Sequence, residues 1–258
     1  MAATSPRVVV TAAPGFEGIA TLSARSLRLE VAAHGVKGIA LHLDERGWSL
    51  RESSDGGTTT VRADFLEGRM AARIRDAHRG EARLATALGL KKLPTTPLVL
   101  DATAGLGRDS VLAAALGCEV IACERSPIVA LLLRDALVRA DGGGLRDLAG
   151  RIEVRDADAR EVLAALEESP DVVLVDPMFP ERPGAAKPQK EMQLLQRLLG
   201  PDTPEDTAAL LDAALQHATR RVVVKRPPHA PPVGDRKPSF TVEGKAVRYD
   251  VYVTGGMG

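Results

Sequence analysis

Residues 98–117 read LVLDATAGLGRDSVLAAALG. An apolar run closes on a carboxylate, a turn follows with glycines at 105 and 107, and helix formers come next. Glycine tolerates the left-handed backbone of a tight turn and lets main chain approach a ligand closely, so Gly105 and Gly107 mark a ligand loop that opens a helix near Arg108 or Asp109. The third glycine of a dinucleotide fingerprint is missing, because Ser110 stands in its place, and this disfavours a pyrophosphate. A ligand with an amino-acid end suits the loop better. Asp101 and Asp109 could attract an ammonium while backbone N–H groups receive a carboxylate.

The same rhythm of strand, turn and helix recurs downstream, in EVIACERSPIVALLLRDALVRA (119–140), IEVRDADAREVLAAL (152–166) and DVVLVDPMFP (171–180). Continuous apolar strands, each followed by a turn or helix, describe a parallel sheet covered on both faces. RRVVVKRP (220–227) adds a buried strand, and KAVRYDVYVT (245–254) an alternating one that closes the sheet antiparallel. Every early strand ends in an acid: Asp101, Glu124, Asp156 or Asp158, and Asp176. Ligands of open α/β sheets lie beyond the carboxyl ends of the strands, so these acids fall where a ligand is held. Glu124 sits about 20 residues beyond the glycine loop, the place from which such folds bind ribose hydroxyls. Arg125 either packs on a base or faces solvent. Asp158, with Ala159, is placed to reach an adenine amino group, and Asp156 competes for that role.

The segment Asp176-Pro177-Met178-Phe179-Pro180 carries the most specific chemistry. Methyl transfer to an amine conjugated with a base ring needs acceptors for the amine N–H groups, a flat surface for the ring, and alignment with the donor. The Asp176 carboxylate and the Pro177 carbonyl supply acceptors, and Phe179 a stacking face. Aromatic residues make up only 3% of the chain, which makes a phenylalanine between two prolines unusual for a mere turn. Positioning and electrostatics, with Asp176 orienting the amine or taking its proton, would suffice for the step.

Upstream, short β-rich runs such as RVVV (7–10) and GIALHLDE (38–45) alternate with glycine and polar breaks to about Asp64, with no long periodic helix. This reads as a small α+β domain over residues 1–80, followed by the catalytic domain over 81–258. From Gly68 to Lys92 helix formers carry a basic cluster, and LPTTP (93–97) then starts an extended segment. Lys plus Arg and Asp plus Glu each number 34, so any polyanion surface must come from local clustering rather than net charge. Three clusters qualify: the 68–92 segment, Arg182 with Lys187 and Lys190, and Arg220, Arg221, Lys225 and Arg226 around a strand near the catalytic edge. Together they suggest a phosphate track. Cys118 and Cys123 lie in an apolar run with no partner spaced to complete a zinc site, and His78, His217 and His229 suggest no nucleophilic triad. No metal is expected. Cysteine usage, and an N-terminus without signal-peptide character, point to a reducing cytoplasm and no membrane.

The order of DATAGLGRD, ERSPIVALLL, DPMFP, QKEMQLLQRLLGPD, RVVVKRP with APP, and RYDVYV resembles the RsmJ-type 16S ribosomal RNA guanine-N2 methyltransferases, and HRGEARLATALGLK (78–91) is similar to the segment leading into that family's first core strand. The resemblance implies a class I S-adenosylmethionine-dependent methyltransferase fold: an α/β, Rossmann-like, mostly parallel seven-stranded sheet, here behind a small α+β N-terminal domain. It implies S-adenosyl-L-methionine contacts at Arg108 and Asp109, Glu124 and Arg125, Asp158 and Ala159, and Asp176. It also implies guanine N2 as acceptor, and ribosomal RNA or the small ribosomal subunit as partner. A DNA or protein-glutamine amino methyltransferase shares the Asp-Pro-x-aromatic loop. A nicotinamide-dependent oxidoreductase shares only the strand, the glycine loop and Glu124.

Overall fold

A computed structural model describes residues 6–33, 35–92, 96–178, 189–200 and 202–255. The first five strands are β1 (Val8–Ala12), β2 (Glu30–Val31), β3 (Gly38–Asp44), β4 (Gly47–Ser54) and β5 (Gly57–Val61), arranged β2-β1-β3-β4-β5. β1 runs parallel to β2 and β3, whereas β3, β4 and β5 form an antiparallel meander. An eleven-residue helix, α1 (Glu17–Leu27), crosses between β1 and β2 and buries Ala20 and Ala24. The sequence pattern marks no helix here, because the helix's two buried residues are alanines and, of its larger apolar residues, only Leu27 packs against the core, so no large apolar stripe marks the period.

Three short helices, α2 (Gly68–Arg75), α3 (Ala77–Gly80) and α4 (Ala82–Leu88), occupy the basic segment and lead to the second sheet. Its strands are β6 (Leu98–Asp101), β7 (Glu119–Cys123), β8 (Ile152–Arg155), β9 (Val172–Val175), β10 (Arg221–Arg226), β11 (Phe240–Val242) and β12 (Arg248–Val253), in the order β11-β12-β10-β9-β6-β7-β8. β12 is antiparallel to both neighbours and the remaining pairs are parallel. This is the seven-stranded, mostly parallel sheet expected from the sequence.

Helices α5 (Arg108–Ala115), α6 (Pro127–Ala140) and α7 (Arg146–Ala149) cover one face, while α8 (Ala159–Ala165) and α10 (Pro204–His217) cover the other. Burial on both sides explains the unbroken apolar strands: Val172, Val173, Leu174 and Val175 are wholly inaccessible. From β6 the chain winds outward through β7 to β8, then returns to β9 on the opposite side of β6. The reversal opens a crevice at the carboxyl ends of β6 and β9, where ligands of such sheets bind.

α6 joins the two sheets. Ser126 caps it by accepting from the Val129 N–H, with Pro127 in the first turn, the usual start of a stable helix. Val129 and Leu132 pack with Val10, Leu41 and Trp48 of the first sheet, whereas Leu133, Ala136 and Ala140 pack with the second. Burying one leucine contributes about 1.5–3 kcal/mol. α9 (Lys190–Leu199) adds Leu194 and Leu195 to the core of the first sheet. At the β3–β4 turn, the Trp48 N–H donates to Asp135 of α6 (3.1 Å). Arg139 of the same helix pairs with Asp135 (2.9 Å) and donates to the Ala63 carbonyl (2.5 Å).

Candidate active site

The glycine loop is built by main-chain ties to both neighbouring strands. The Ala102 N–H donates to the Leu174 carbonyl (2.8 Å) and the Ala104 N–H to the Cys123 carbonyl (2.9 Å). Gly107 turns the chain into α5 with φ of +76°, and a side chain there would start 2.3 Å from Leu133 Cδ1, so only glycine fits. The loop's carboxylate is Glu124, which is nearly buried and accepts from the Gly105 N–H (2.9 Å) and the Ser126 N–H (2.7 Å). Burial pushes the Glu124 carboxyl above its ordinary value, against the pull of those two N–H groups.

A cleft lies beyond the carboxyl ends of β6, β7, β8 and β9, where ligands of such sheets bind. Gly105, Glu124, Arg125, Asp158, Ala159, Asp176 and Pro177 all line it. Seven of the residues singled out from sequence thus share one cavity. Asp156 is exposed and does not line it, which favours Asp158 of the two alternatives. Asp158 caps α8 and receives the Arg160 guanidinium (2.6 Å), whose hydrogen bond holds the Asp158 carboxyl below its ordinary value. Arg125 reaches across the cleft mouth to Asp202 (2.7 Å), and Asp202 also accepts from the Met178 N–H (2.7 Å). Carboxylates beside the apolar Ala102, Ala157, Leu199 and Leu210 match a ligand that pairs a cation with a flat apolar ring system. That donor set fits S-adenosylmethionine.

Asp176 follows β9, and its N–H donates to Thr103 Oγ1 (2.6 Å), which fixes it against the end of β6. Lys225 of β10 places Nζ 2.8 Å from Asp176 Oδ2 and 2.7 Å from Asp109 Oδ2. Loss of water around Asp176 raises its carboxyl and the Lys225 charge opposes that rise. The paired acids push the Lys225 ammonium well above its ordinary value, despite burial acting the other way, so it stays charged.

Several expectations need correction. Asp101 is not in the cleft lining: it is 2% exposed, with Ser110 Oγ donating to it at 2.5 Å and the Thr103 N–H at 3.2 Å. Asp109 is engaged by Lys225 and lies outside the cleft lining, and the exposed Arg108 lines a second hollow beside Arg62, Phe65 and Met70. The cations of β10 form no outward track. Arg220 pairs with Asp171 (3.4 Å) and Arg221 donates to the Ala87 carbonyl (3.2 Å), both at the amino end of the strand, opposite the cleft. Arg226 is buried and donates to the Pro231 carbonyl, and Lys225 serves the acids. A strand exposes its two ends at opposite edges of a sheet, so charges that bracket it in sequence do not share a surface. Phe179, Pro180, Arg182 and Lys187 lie outside the described residues.

The sequence pattern singles out neither Thr103 nor Asp202, and it places Lys225 only in a basic cluster, not beside the acids. Lys225 had a legible signal, being a cation at the carboxyl end of an apolar strand, where the other strands carry acids. Asp202 had none, since it arrives from beyond α9. Cys118 and Cys123 are buried, free thiols, and burial pushes both up to about 12. Among the described residues no group of three or more His, Cys, Asp or Glu is placed to hold a metal, and no helix is long and apolar enough to cross a membrane.

Residues 24–254 match a family described as "Putative SAM-dependent methyltransferase". The chain is 43% identical over 220 residues to ribosomal RNA small subunit methyltransferase J of Thioalkalivibrio sulfidiphilus, covering 84% of this chain and 85% of that protein. It is 39% identical over 257 residues to the protein of the same name from Pseudomonas aeruginosa, covering 98% and 97%. Among solved structures it is similar to a SAM-dependent methyltransferase of Neisseria gonorrhoeae, with a TM-score of 0.76 and 32% identity over 97% of each chain.

Proposed function

The chain belongs to the S-adenosylmethionine-dependent methyltransferase family that contains ribosomal RNA small subunit methyltransferase J, and from that premise we propose that it methylates N2 of a guanine in small-subunit ribosomal RNA. The observation that carries the amine reading is the presence of Asp176 and Pro177 in the same cleft as Glu124 and Asp158. Acceptors for an amine thereby adjoin the acids that suit the donor.

The donor supplies a methyl group on a sulfonium. In this reading Glu124 would hold its ribose hydroxyls, Asp158 with the Ala159 main chain its adenine, and the turn at Gly105 its amino-acid end. A guanine amine is a weak nucleophile because its lone pair is delocalised into the ring, so the protein's contribution is orientation. In this reading the Asp176 carboxylate and the Pro177 carbonyl accept the two N–H bonds and aim the remaining lone pair. Phe179 stacks on the base. As N2 gains the methyl it becomes acidic, and Asp176 accepts the departing proton and passes it to solvent.

Contact with RNA phosphates is assigned to α2, α3, α4 and the turn after them, where Arg69, Arg75, Arg79, Arg83 and Lys91 are exposed. Labelled donor should deliver methyl to small-subunit ribosomal RNA and not to pools of DNA or protein. Phe179→Ala should abolish turnover with donor affinity retained. Label in DNA or protein, or an undiminished rate in that variant, would refute the reading.

A further inference from the structure

Lys225 bridges two carboxylates beside the cleft, and neither the family resemblance nor the motif reading gives it a chemical role. Its side chain is 21% exposed and bridges Asp109 Oδ2 and Asp176 Oδ2 at 2.7 and 2.8 Å. Among the described residues, Asp176 Oδ1 makes no hydrogen bond, so one oxygen of the carboxylate is pinned and the other is left for a ligand. We propose that Lys225 is a positioning residue for methyl transfer, locking Asp176 by Oδ2 so that an ionised Oδ1 is the oxygen presented to the acceptor amine. The inference rests on the amine-methylating reading of the cleft.

Three groups of the same sign make such a lock necessary. The Asp109 carboxylate of α5 disfavours ionisation of Asp176, and Asp109 and Asp176 both disfavour ionisation of Asp101 on β6. Tyr249 of β12 stands in the same field, as does Arg73 of α2, which pairs with Glu81 before α4 (2.8 Å). Lys225 is the cation that touches both Asp109 and Asp176. A protonated Asp176 would offer the amine one acceptor fewer and could not take its proton. Lysine carries three donors, enough to hold both acids in fixed directions.

The test titrates the Asp176 side-chain carboxyl by carbon NMR in the full-length protein, with Asp176→Asn for assignment. A parallel pH profile of kcat uses small-subunit ribosomal RNA from a strain lacking the gene. In Lys225→Met the Asp176 carboxyl should titrate about 1–3 units higher, the shift an adjacent opposite charge produces. The acid limb of kcat should move up with it, while donor affinity holds. Lys225→Arg should restore the limb but only part of the rate, because a planar fork keeps the charge and not the geometry. Asp109→Asn removes a like charge, so Asp176 should titrate lower, which provides a test if Lys225→Met does not fold. An Asp176 titration unmoved in both variants, or Lys225→Arg behaving as Lys225→Met does, would overturn the assignment. The titration needs no RNA, so its failure is distinguishable from a wild-type protein that methylates none.

Discussion

Asp101 shows how little a residue's type says until its surroundings are fixed. Read as an acid at a strand end, it belonged with Glu124 and Asp176 as a ligand group. In the fold it is enclosed, and burial pushes its carboxyl up to about 7, with the Ser110 hydrogen bond opposing and the Asp109 charge adding to the rise. A folded value above the unfolded one means that the native state binds the proton more tightly. The stability this contributes is fully present below the unfolded value of 3.8 and is lost as pH rises through about 7. Asp101→Asn mimics the protonated form, so its stability relative to wild type should grow between pH 4 and pH 8, as read by urea unfolding at each pH. A difference that does not change with pH would show that Asp101 is ionised throughout.

At the scale of elements, the turns do the work of bringing distant segments together. Asp202, beyond α9, accepts from the Met178 N–H while its own N–H donates to the Met178 carbonyl (3.1 Å), so the turn after β9 is clasped from outside. Asp202→Ala leaves the Met178 N–H without its partner. Displacing a reacting group by an ångström can cost about 100-fold, and a kcat loss of roughly 10–100-fold with a smaller change in the KM for RNA is the expected result. Asp202→Asn, which keeps an acceptor, should lose less, and equal losses in the two variants would contradict the clasp. The sequence made the strands and their acid tips legible, because periodicity and strand-end placement are local properties. The placement of Glu124, Asp158 and Asp176 at the cleft was legible that way. Asp202, Thr103 and the inward turn of Lys225 were not, because their roles depend on which loops meet across β6, β9 and β10, and no single-segment pattern encodes that meeting.

Over the whole molecule, α6 makes the two sheets one unit. Its outward apolar positions, Val129 and Leu132, read in sequence only as part of a long apolar helix, and the structure shows that they serve the first sheet. The β3–β4 turn approaches α6 so closely that a side chain at Gly47, where φ is +91°, would begin 2.4 Å from the Asp135 carboxylate. Gly47→Ala should therefore destabilise the protein by about 1–3 kcal/mol, from the positive φ together with the close approach to α6. Chemical denaturation followed by Trp48 fluorescence would register the loss, and an unchanged midpoint would mean that the turn does not dock on α6 as described.

The central claim is that this cleft delivers a methyl group to one guanine amine of the small-subunit RNA. Mass mapping of ribosomal RNA from a strain lacking the gene, the same strain supplied with the wild-type chain, and one supplied with Asp176→Asn tests it most directly. The account predicts one N2-methylguanine in the small-subunit RNA that is present only with the wild-type chain. An identical methylation map in all three strains, or a methyl group restored on another base or at a ring position, would contradict it.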